Sequence, residues 1–223
     1  MAFNLIGPLI TRNDYSSLAA VLQSKHVPGA DDIAEAVFEY EDRDVFNENA
    51  GQPTSIDIVL KSASGRPSIF IESKFEEREF GGCSVFSDGD CSGMNPIGAE
   101  DSCFLHFIGR KYWPLMAKYG ISEAMRHDRQ CLFTAHYQFF REVILAIEKG
   151  GTFVLLSDER SPVFQFPSGN QEKGLMPFLT SLLPDAIRER VISISTQELV
   201  AAIEKIPRHH DWIFEFKKKY GMV

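Results

Sequence analysis

Hydrophobic and polar positions alternate most clearly between residues 55 and 77. Two β-branched apolar runs, at residues 56–60 and 69–71, flank a segment of Ser, Ala, Gly and Pro. This pattern is typical of a β-hairpin. A turn centred on Ser64 and Gly65 places Asp57 directly opposite Glu72, so that both side chains share one face of the hairpin.

The shared face of the hairpin also carries a basic side chain. Because side chains alternate along a strand, Lys74 lies on the same face as Glu72. Two neighbouring carboxylates repel each other unless a positive charge lies between them, and Mg²⁺ accepts one or two carboxylates beside water and phosphate oxygens. Lys74 would then orient or deprotonate a metal-bound water, or stabilise a phosphate. The alternative is a surface salt bridge, which contributes little; the apolar run 69–71 indicates a buried strand and favours the metal site.

Helical and strand periodicity continues on both sides of the hairpin. Residues 31–41 begin like a helix and continue like a strand, and that segment stays open. The pattern predicts the following further elements: a helix or arm over 3–9, a helix capped by Asn13 or Asp14 and ending near Lys25, a helix over 104–119 interrupted at Pro114, a helix over 130–149, a strand over 152–156, a helix over 175–183, a strand over 191–195, a helix over 197–205 capped by Thr196 without a capping-box Glu, and a last helix over 212–220. We therefore expect an α/β fold, with a mixed central sheet around an antiparallel hairpin, helices on both faces, and a single domain over residues 1–223.

The segment from 81 to 102 differs from its surroundings because it is polar and rich in glycine. A stretch of this length without regular structure inside a compact domain is usually a lid, a binding loop or disordered. It follows the strand of Glu72 and Lys74 immediately, so we expect it to cover the candidate site.

Asp57 followed across a hairpin by Glu72-Ser73-Lys74 resembles the Asp…(Asp/Glu)-x-Lys signature of the PD-(D/E)XK nuclease superfamily, in its restriction-endonuclease-like branch. Further short blocks that resemble this branch lie at residues 4–9, 56–58, 71–77, 95–96, 112–113 and 137–141. The resemblance implies a Mg²⁺-dependent deoxyribonuclease, with Mn²⁺ as a substitute ion. Asp57, Glu72 and the main-chain carbonyl of Ser73 would hold the metal, and Lys74 would assist the attacking water.

The resemblance also implies that Gln138 approaches the site from the helix over 130–149, beside Arg141. The alternative, weighed equally, is that Gln138 and Arg141 are simply two polar residues on the side of that helix. Glu39 would face the site or lie exposed on its strand, and Glu77 would lie near the metal or on the surface. The sequence departs from the family pattern at Ile56, where a Pro is usual. Whether a helix before the first strand supplies an acidic or Gln residue of the site is left open.

The formal net charge of −8 argues mildly against a broad surface for nucleic acid, which is usually basic. Basic residues do cluster at 110–129 and 217–219, and DNA is the expected partner, with a homodimer left open. No apolar run reaches the ~20 residues that span a bilayer, and no signal peptide is evident, so a cytoplasmic location is expected. The rival hypotheses are a non-catalytic binding or assembly module on a nuclease fold, and hydrolysis of RNA or nucleotides.

Two other groups of residues invite a metal-site hypothesis. The spacings of Cys83, Cys91, Cys103 and Cys131 match no familiar zinc pattern, and free thiols are predicted, although some relatives in the superfamily carry an iron–sulfur cluster. The run at 209–211, His-His-Asp, is predicted to form a surface turn, because adjacent histidines on a helix point in different directions.

Overall fold

A five-stranded mixed sheet forms the centre of the computed structural model, which describes residues 2–161, 163–164, 167–168, 171–172 and 174–222. Its strands lie in the order β1-β2-β3-β4-β7. The strands are β1 (Glu35–Asp42), β2 (Thr54–Lys61), β3 (Pro67–Lys74), β4 (Thr152–Ser157) and β7 (Val191–Ser195), with β5 (Pro167–Ser168) and β6 (Gln171–Glu172) forming a separate two-stranded ribbon. Strands β1 to β3 form an antiparallel meander, whereas β3, β4 and β7 run parallel. The predicted α/β fold with a mixed central sheet is confirmed.

Helices connect the parallel strands and cover both faces of the sheet. Their bounds are α1 (Ala2–Thr11), α2 (Ser16–Ser24), α3 (Ser84–Ser87), α4 (Phe104–Phe107), α5 (Tyr112–Lys118), α6 (Ile121–Met125), α7 (Leu132–Ala135), α8 (Tyr137–Glu148), α9 (Leu175–Ser181), α10 (Asp185–Arg188), α11 (Thr196–Glu204) and α12 (His210–Lys219). None of the helices in the described ranges has the length and apolar character needed to cross a membrane.

The register of the hairpin follows the prediction. Ile58 pairs with Ile71, and Leu60 pairs with Ile69, before the register shifts at Lys61. Gly65 closes the turn with a φ of 77°, in the left-handed region that favours glycine. Asp57 therefore lies just beyond the last registered pair, beside Glu72.

Alternation along the strands divides the core into two layers. Val59, Phe70 and Leu155 are buried on the face that α8 covers, whereas Ile58 and Ile71 are buried on the face that α1, α2, α11 and α12 cover. Because β3 is apolar on both faces, it is a central strand. Glu72 and Lys74 have the same parity as Phe70, so they face α8.

Several element boundaries differ from the prediction, each for a local reason. The expected helix over 104–119 is two helices, because Gly109 adopts a φ of 85° between them. Pro114 does not interrupt α5, since it lies in the first turn, where its missing N–H costs little. The expected helix over 130–149 is divided into α7 and α8 at His136, which leaves helical geometry with a ψ of 33°.

The predicted cap of α11 is also corrected. Ser195, and not Thr196, is the N-cap, and its hydroxyl accepts the backbone N–H of Glu198 at 3.0 Å. The Glu198 carboxylate accepts the Ser195 N–H at 2.8 Å in return, which completes a capping box.

The expectation of a structureless segment over 81–102 is wrong in part. That segment contains α3, a 3₁₀ turn at Glu100–Ser102, and an isolated bridge between Met94 and Gln130. At the start of the chain, residues 3–9 lie in a helix and not in an extended arm, and residues 35–42 are a strand.

Candidate active site

The candidate site lies where β3 ends, on the sheet face covered by α8. Glu72 and Lys74 keep only 4% and 8% of their side-chain surface exposed, and Nζ of Lys74 lies 2.9 Å from Oε1 of Glu72. The bond is therefore a buried ion pair and not the surface salt bridge considered as the alternative. Neighbouring β4 runs parallel to β3, and the carboxyl ends of parallel strands are where α/β folds bind ligands.

Asp57 reaches the same site from β2. Its Oδ2 accepts the backbone N–H of Ser73 at 2.9 Å, so the carboxylate is held against the strand of Glu72. Burial raises the pKa of Asp57, while the Ser73 N–H and the positive charge of Lys74 partly offset that effect. The role of the Ser73 carbonyl as a metal ligand stays a prediction.

Gln138 joins the site from the first turn of α8. Its Nε2 donates to Oε1 of Glu72 at 2.7 Å, and its Oε1 accepts Nζ of Lys74 at 3.0 Å and the N–H of Gly81 at 3.1 Å. One amide therefore contacts both members of the ion pair and the start of the segment 81–102. The structure brings Asp57, Glu72, Lys74 and Gln138 together.

The site holds excess negative charge away from water. Burial raises the pKa of Glu72 to about 7, with the charge of Asp57 acting in the same direction and the charge of Lys74 against it. Burial works to lower the pKa of Lys74, but the adjoining Glu72 carboxylate outweighs it and the net shift is upward. Lys74 is therefore charged at neutral pH, whereas Glu72 titrates there.

Glu142 is a site residue that sequence reasoning missed. It lies one helical turn after Gln138, only 1% exposed, and neither carboxylate oxygen has a hydrogen-bond partner of normal geometry. Burial raises its pKa well above the usual range, and the negative charge of Glu72 adds to the effect. The available signal was a Glu placed four residues after Gln138, inside the apolar run of α8.

The chemistry of these donors fits a hard divalent cation. Mg²⁺ takes one or two carboxylates from a protein, which Asp57 and Glu72 supply, and the unsatisfied Glu142 lies behind them. Within the described part of the chain, there is no group of three or more side chains, drawn from His, Cys, Asp and Glu, that could hold one ion. A bound ion would therefore rely on Asp57 and Glu72 with water and main-chain oxygen.

The other acidic candidates lie outside this donor set. Glu39 lies on β1 opposite Asp57, between the pairs that residues 38 and 40 form with residues 58 and 56. Its side chain is exposed, and its backbone adopts the left-handed conformation with a φ of 51°. Glu77 accepts the N–H groups of Phe75 and Glu76, which lower its pKa against the opposing effect of burial. It also interacts electrostatically with Lys74, so it adds negative charge at the edge of the site.

Arg141 points away from the ion pair and into a second buried network. It donates to the Glu48 carboxylate at 2.8 Å and to the Thr54 hydroxyl at 2.9 Å, and its guanidinium lies 4.4 Å from the ring centroid of Tyr137. Glu48 is 1% exposed and also accepts the Thr54 N–H at 2.6 Å and the Tyr112 hydroxyl. This network fastens the start of β2 to α8, and so fixes Asp57 relative to Gln138.

The expected surface turn at 209–211 is corrected for its first residue. His209 is fully buried, and its Nε2 lies 2.9 Å from Oδ2 of Asp14. Its Nδ1 accepts the indole N–H of Trp212 at 3.2 Å. Both ring nitrogens are therefore engaged, and the contact with Asp14 joins the start of α12 to the turn between α1 and α2. The two helices that precede β1 contain no acidic residue.

Two openings border the site. One, of about 420 Å³, is lined by Gln138 and Glu142 on α8 and by the start of β2. The other, of about 850 Å³, begins at Phe75 where β3 ends, and its basic lining residues are Arg78, Arg160 and Lys219.

Three residues of the basic cluster at 110–129 are paired with protein groups. Arg126 binds Glu123, Lys118 binds Glu148, and Arg110 donates to main-chain carbonyls. The basic residues that border the candidate site therefore come from other parts of the chain.

Comparison with known proteins gives one family. No curated protein and no solved structure matches the chain. A family model described as "Restriction Endonuclease associating with ARP" matches residues 1–221, which is nearly the whole length. Because the match covers far more than half of the chain, the chain belongs to the family of restriction endonucleases associating with ARP.

Proposed function

We propose that this protein is a Mg²⁺-dependent nuclease of the PD-(D/E)XK type that hydrolyses phosphodiester bonds in DNA. The observation that carries the proposal is the cluster of half-buried Asp57 with buried Glu72 and Lys74, next to the buried and unsatisfied Glu142. A structural salt bridge does not require two further carboxylates, half-buried Asp57 and buried Glu142, whose desolvation is costly. A cation-binding site does, because the ion offsets their charge.

Each residue has a defined part in this mechanism. Asp57 and Glu72, with the Ser73 carbonyl, would hold the ion, which lowers the pKa of a bound water and braces the phosphate. Lys74 would turn from Glu72 toward the attacking water or the phosphate, since its amine already contacts the Glu72 carboxylate at 2.9 Å. Gln138 is a positioning residue, because its amide holds both Glu72 and Lys74.

The surroundings of the site support a nucleic-acid substrate. Arg78 and Lys219 line the 850 Å³ opening next to Phe75 and are exposed, so they are available to phosphates. Arg160 lies in the same opening, where Asp158 and two main-chain carbonyls hold it in place. DNA is proposed over RNA because the family description names restriction endonucleases, and the same description suggests that the enzyme acts with a partner called ARP.

The test is cleavage of supercoiled and linear DNA, and of RNA, in Mg²⁺, Mn²⁺ or EDTA. We expect DNA cleavage that requires the ion and is lost in Glu72→Gln. Glu204→Gln is the matched control, since Glu204 pairs with Lys217 in an ion pair away from the site. Ion-dependent DNA binding without cleavage by the wild type would instead favour the non-catalytic module. Faster cleavage of RNA than of DNA would identify a ribonuclease.

A further inference from the structure

The opening of about 850 Å³ at the end of β3 combines aromatic rings with charged groups. It begins at Phe75, the residue directly after Lys74, and it is also lined by Tyr220, which directly follows α12. Its volume lies within the range of about 300–1,000 Å³ that is usual for sites that bind small molecules. A ligand in this opening would therefore lie beside the carboxylate site.

Phe75 and Tyr220 form an aromatic corner in the opening. Their ring centroids lie 5.4 Å apart, and the ring planes are nearly perpendicular, at 85°. Both side chains are half-buried, so part of each ring remains accessible to a ligand. The ring of Tyr220 packs on buried Phe216 with 4.5 Å between centroids, and its hydroxyl accepts a side-chain N–H of Asn4 at 2.6 Å. Contacts within the protein therefore hold Tyr220 in place, while part of both rings stays available for stacking.

Arg160 holds the same corner together. Its guanidinium donates twice to the Asp158 carboxylate at 2.8 Å, and once each to the main-chain carbonyls of Tyr220 and Gly221, at 2.9 Å and 3.0 Å. It also lies 5.9 Å from the ring centroid of Phe75. Arg160 therefore ties the segment after α12 to the loop after β4. An opening that is already formed loses less conformational freedom when it binds a ligand.

The charges around the aromatic corner suit a single nucleotide better than a length of duplex. Arg78 and Lys219 are exposed in the opening and can bind phosphate, but Glu76 and Glu77 also line it and repel phosphate. This mixed surface lacks the continuous row of cations that neutralises the closely spaced phosphates of a duplex. One or two phosphates beside the two cations, with a base on the rings, fit both the charge and the aromatic surface.

A base can reach the rings of the aromatic corner only when it is unpaired. In duplex DNA the faces of each base are covered by its neighbours, and a protein that engages one base must take it out of the stack. In single-stranded DNA the faces are accessible, and aromatic side chains next to basic groups are the usual means of binding them. The aromatic corner therefore favours unpaired over paired DNA.

We propose that Phe75 and Tyr220 stack an unpaired base of single-stranded DNA next to the carboxylate site. The opening would select DNA with an unpaired segment, such as a single strand or a flap, over uninterrupted duplex. Because Phe75 directly follows Lys74, the phosphate of a base stacked there would lie near the candidate catalytic residues. The choice of a cleavage position rests on the proposed nuclease function, whereas the binding of the base does not depend on it.

The experiment is equilibrium binding of a labelled oligonucleotide that cannot pair with itself, and of its blunt duplex, by fluorescence anisotropy at one salt concentration. Measurement in EDTA separates binding from ion-dependent cleavage. We expect the full chain to bind the single strand more tightly than the duplex. Phe75→Leu removes the ring but keeps an apolar side chain, and should weaken binding of the single strand by about 5- to 150-fold without changing duplex binding. Phe214→Leu is the matched control, since Phe214 is an exposed ring on α12 that does not line the opening.

A change in the DNA covers the case in which Phe75→Leu disturbs the fold. Abasic residues keep the sugars and phosphates of the single strand but remove its bases, and they should weaken binding by the wild type to a similar extent. Equal affinity for the single strand and the duplex, or full affinity for the abasic strand, would overturn the proposal. A deoxynucleoside monophosphate that competes as well as the strand would also overturn it, because it would identify a site for free nucleotides.

Cleavage in Mg²⁺ distinguishes a failure of this inference from a failure of the proposed function. On a duplex that carries one single-stranded flap, we expect cuts next to the unpaired segment, and we expect Phe75→Leu to remove that preference. Base-dependent binding without cleavage of any DNA would refute the nuclease function and support the base-binding site. Cleavage along the whole duplex without preference for the flap would overturn the proposed selection and leave the nuclease function standing.

Discussion

The ionisation of Glu72 should make the metal-free protein less stable as the pH rises. Its folded-state pKa is raised from 4.5 to about 7. The folded state therefore holds the proton more tightly than the unfolded chain, so this contribution to stability is fully present below pH 4.5 and is lost as the pH rises through about 7. Each pKa unit corresponds to 1.36 kcal/mol, so the loss amounts to about 3 kcal/mol. For a chain of this size that is a fall of about 6–12 °C in melting temperature.

The assay is urea unfolding in EDTA between pH 5 and pH 8, for the wild type and for Glu72→Gln. His136 acts in the opposite direction in this range, because burial lowers its pKa, and the comparison between the two proteins removes that contribution. Because part of this contribution is already lost at pH 5, we expect the wild type to lose about 2.5 kcal/mol more than Glu72→Gln between pH 5 and pH 8, and Mg²⁺ to restore most of the loss at pH 8. Parallel curves for the two proteins in EDTA would refute this reasoning.

Three further predictions concern the surroundings of Glu72. Asp57→Asn should abolish the Mn²⁺ binding that calorimetry detects in the wild type, because one of two carboxylate ligands is removed; unchanged binding would remove Asp57 from the metal site. Glu142→Gln should raise the melting temperature in EDTA at pH 8, because burial raises the pKa of Glu142 and an amide has no charged form to destabilise the fold as the pH rises, and it should weaken Mn²⁺ binding; a less stable variant would contradict this reasoning. Arg141→Met should lower the free energy of unfolding by about 3–5 kcal/mol, because it leaves buried Glu48 without its cation; Lys118→Met, at an exposed pair, should change it by less than about 1 kcal/mol.

Local patterns were sufficient to predict the hairpin and the convergence of its acidic and basic side chains. Alternation fixed the pairing of Ile58 with Ile71, and parity then placed Glu72 and Lys74 on one face. The breaks in the helices were less predictable, because Gly109 and His136 interrupt stretches whose apolar periodicity continues through them.

Tertiary contacts decide what the sequence pattern could not. In the sequence, Glu142 has the pattern of an ordinary helix residue, and only the packing of α8 on β3 buries it. His209 is fully buried only because the start of α12 packs against Asp14. Cys83, Cys91, Cys103 and Cys131 are unevenly spaced in the sequence, and they line one cavity only because the chain between residues 81 and 135 folds back on itself. In each case the environment of the side chain comes from a segment that is distant in sequence.

The most direct test of the central claim is the cleavage rate of Lys74→Arg beside Lys74→Ala and the wild type, in Mg²⁺ at saturating DNA. Arginine keeps the positive charge beside Glu72 but does not give up its proton, and it is larger. The account predicts that both variants bind Mn²⁺ and DNA, that Arg rescues DNA binding better than Ala, and that both lose cleavage by about 10²–10⁴-fold. Wild-type cleavage in both variants would contradict the catalytic assignment of Lys74.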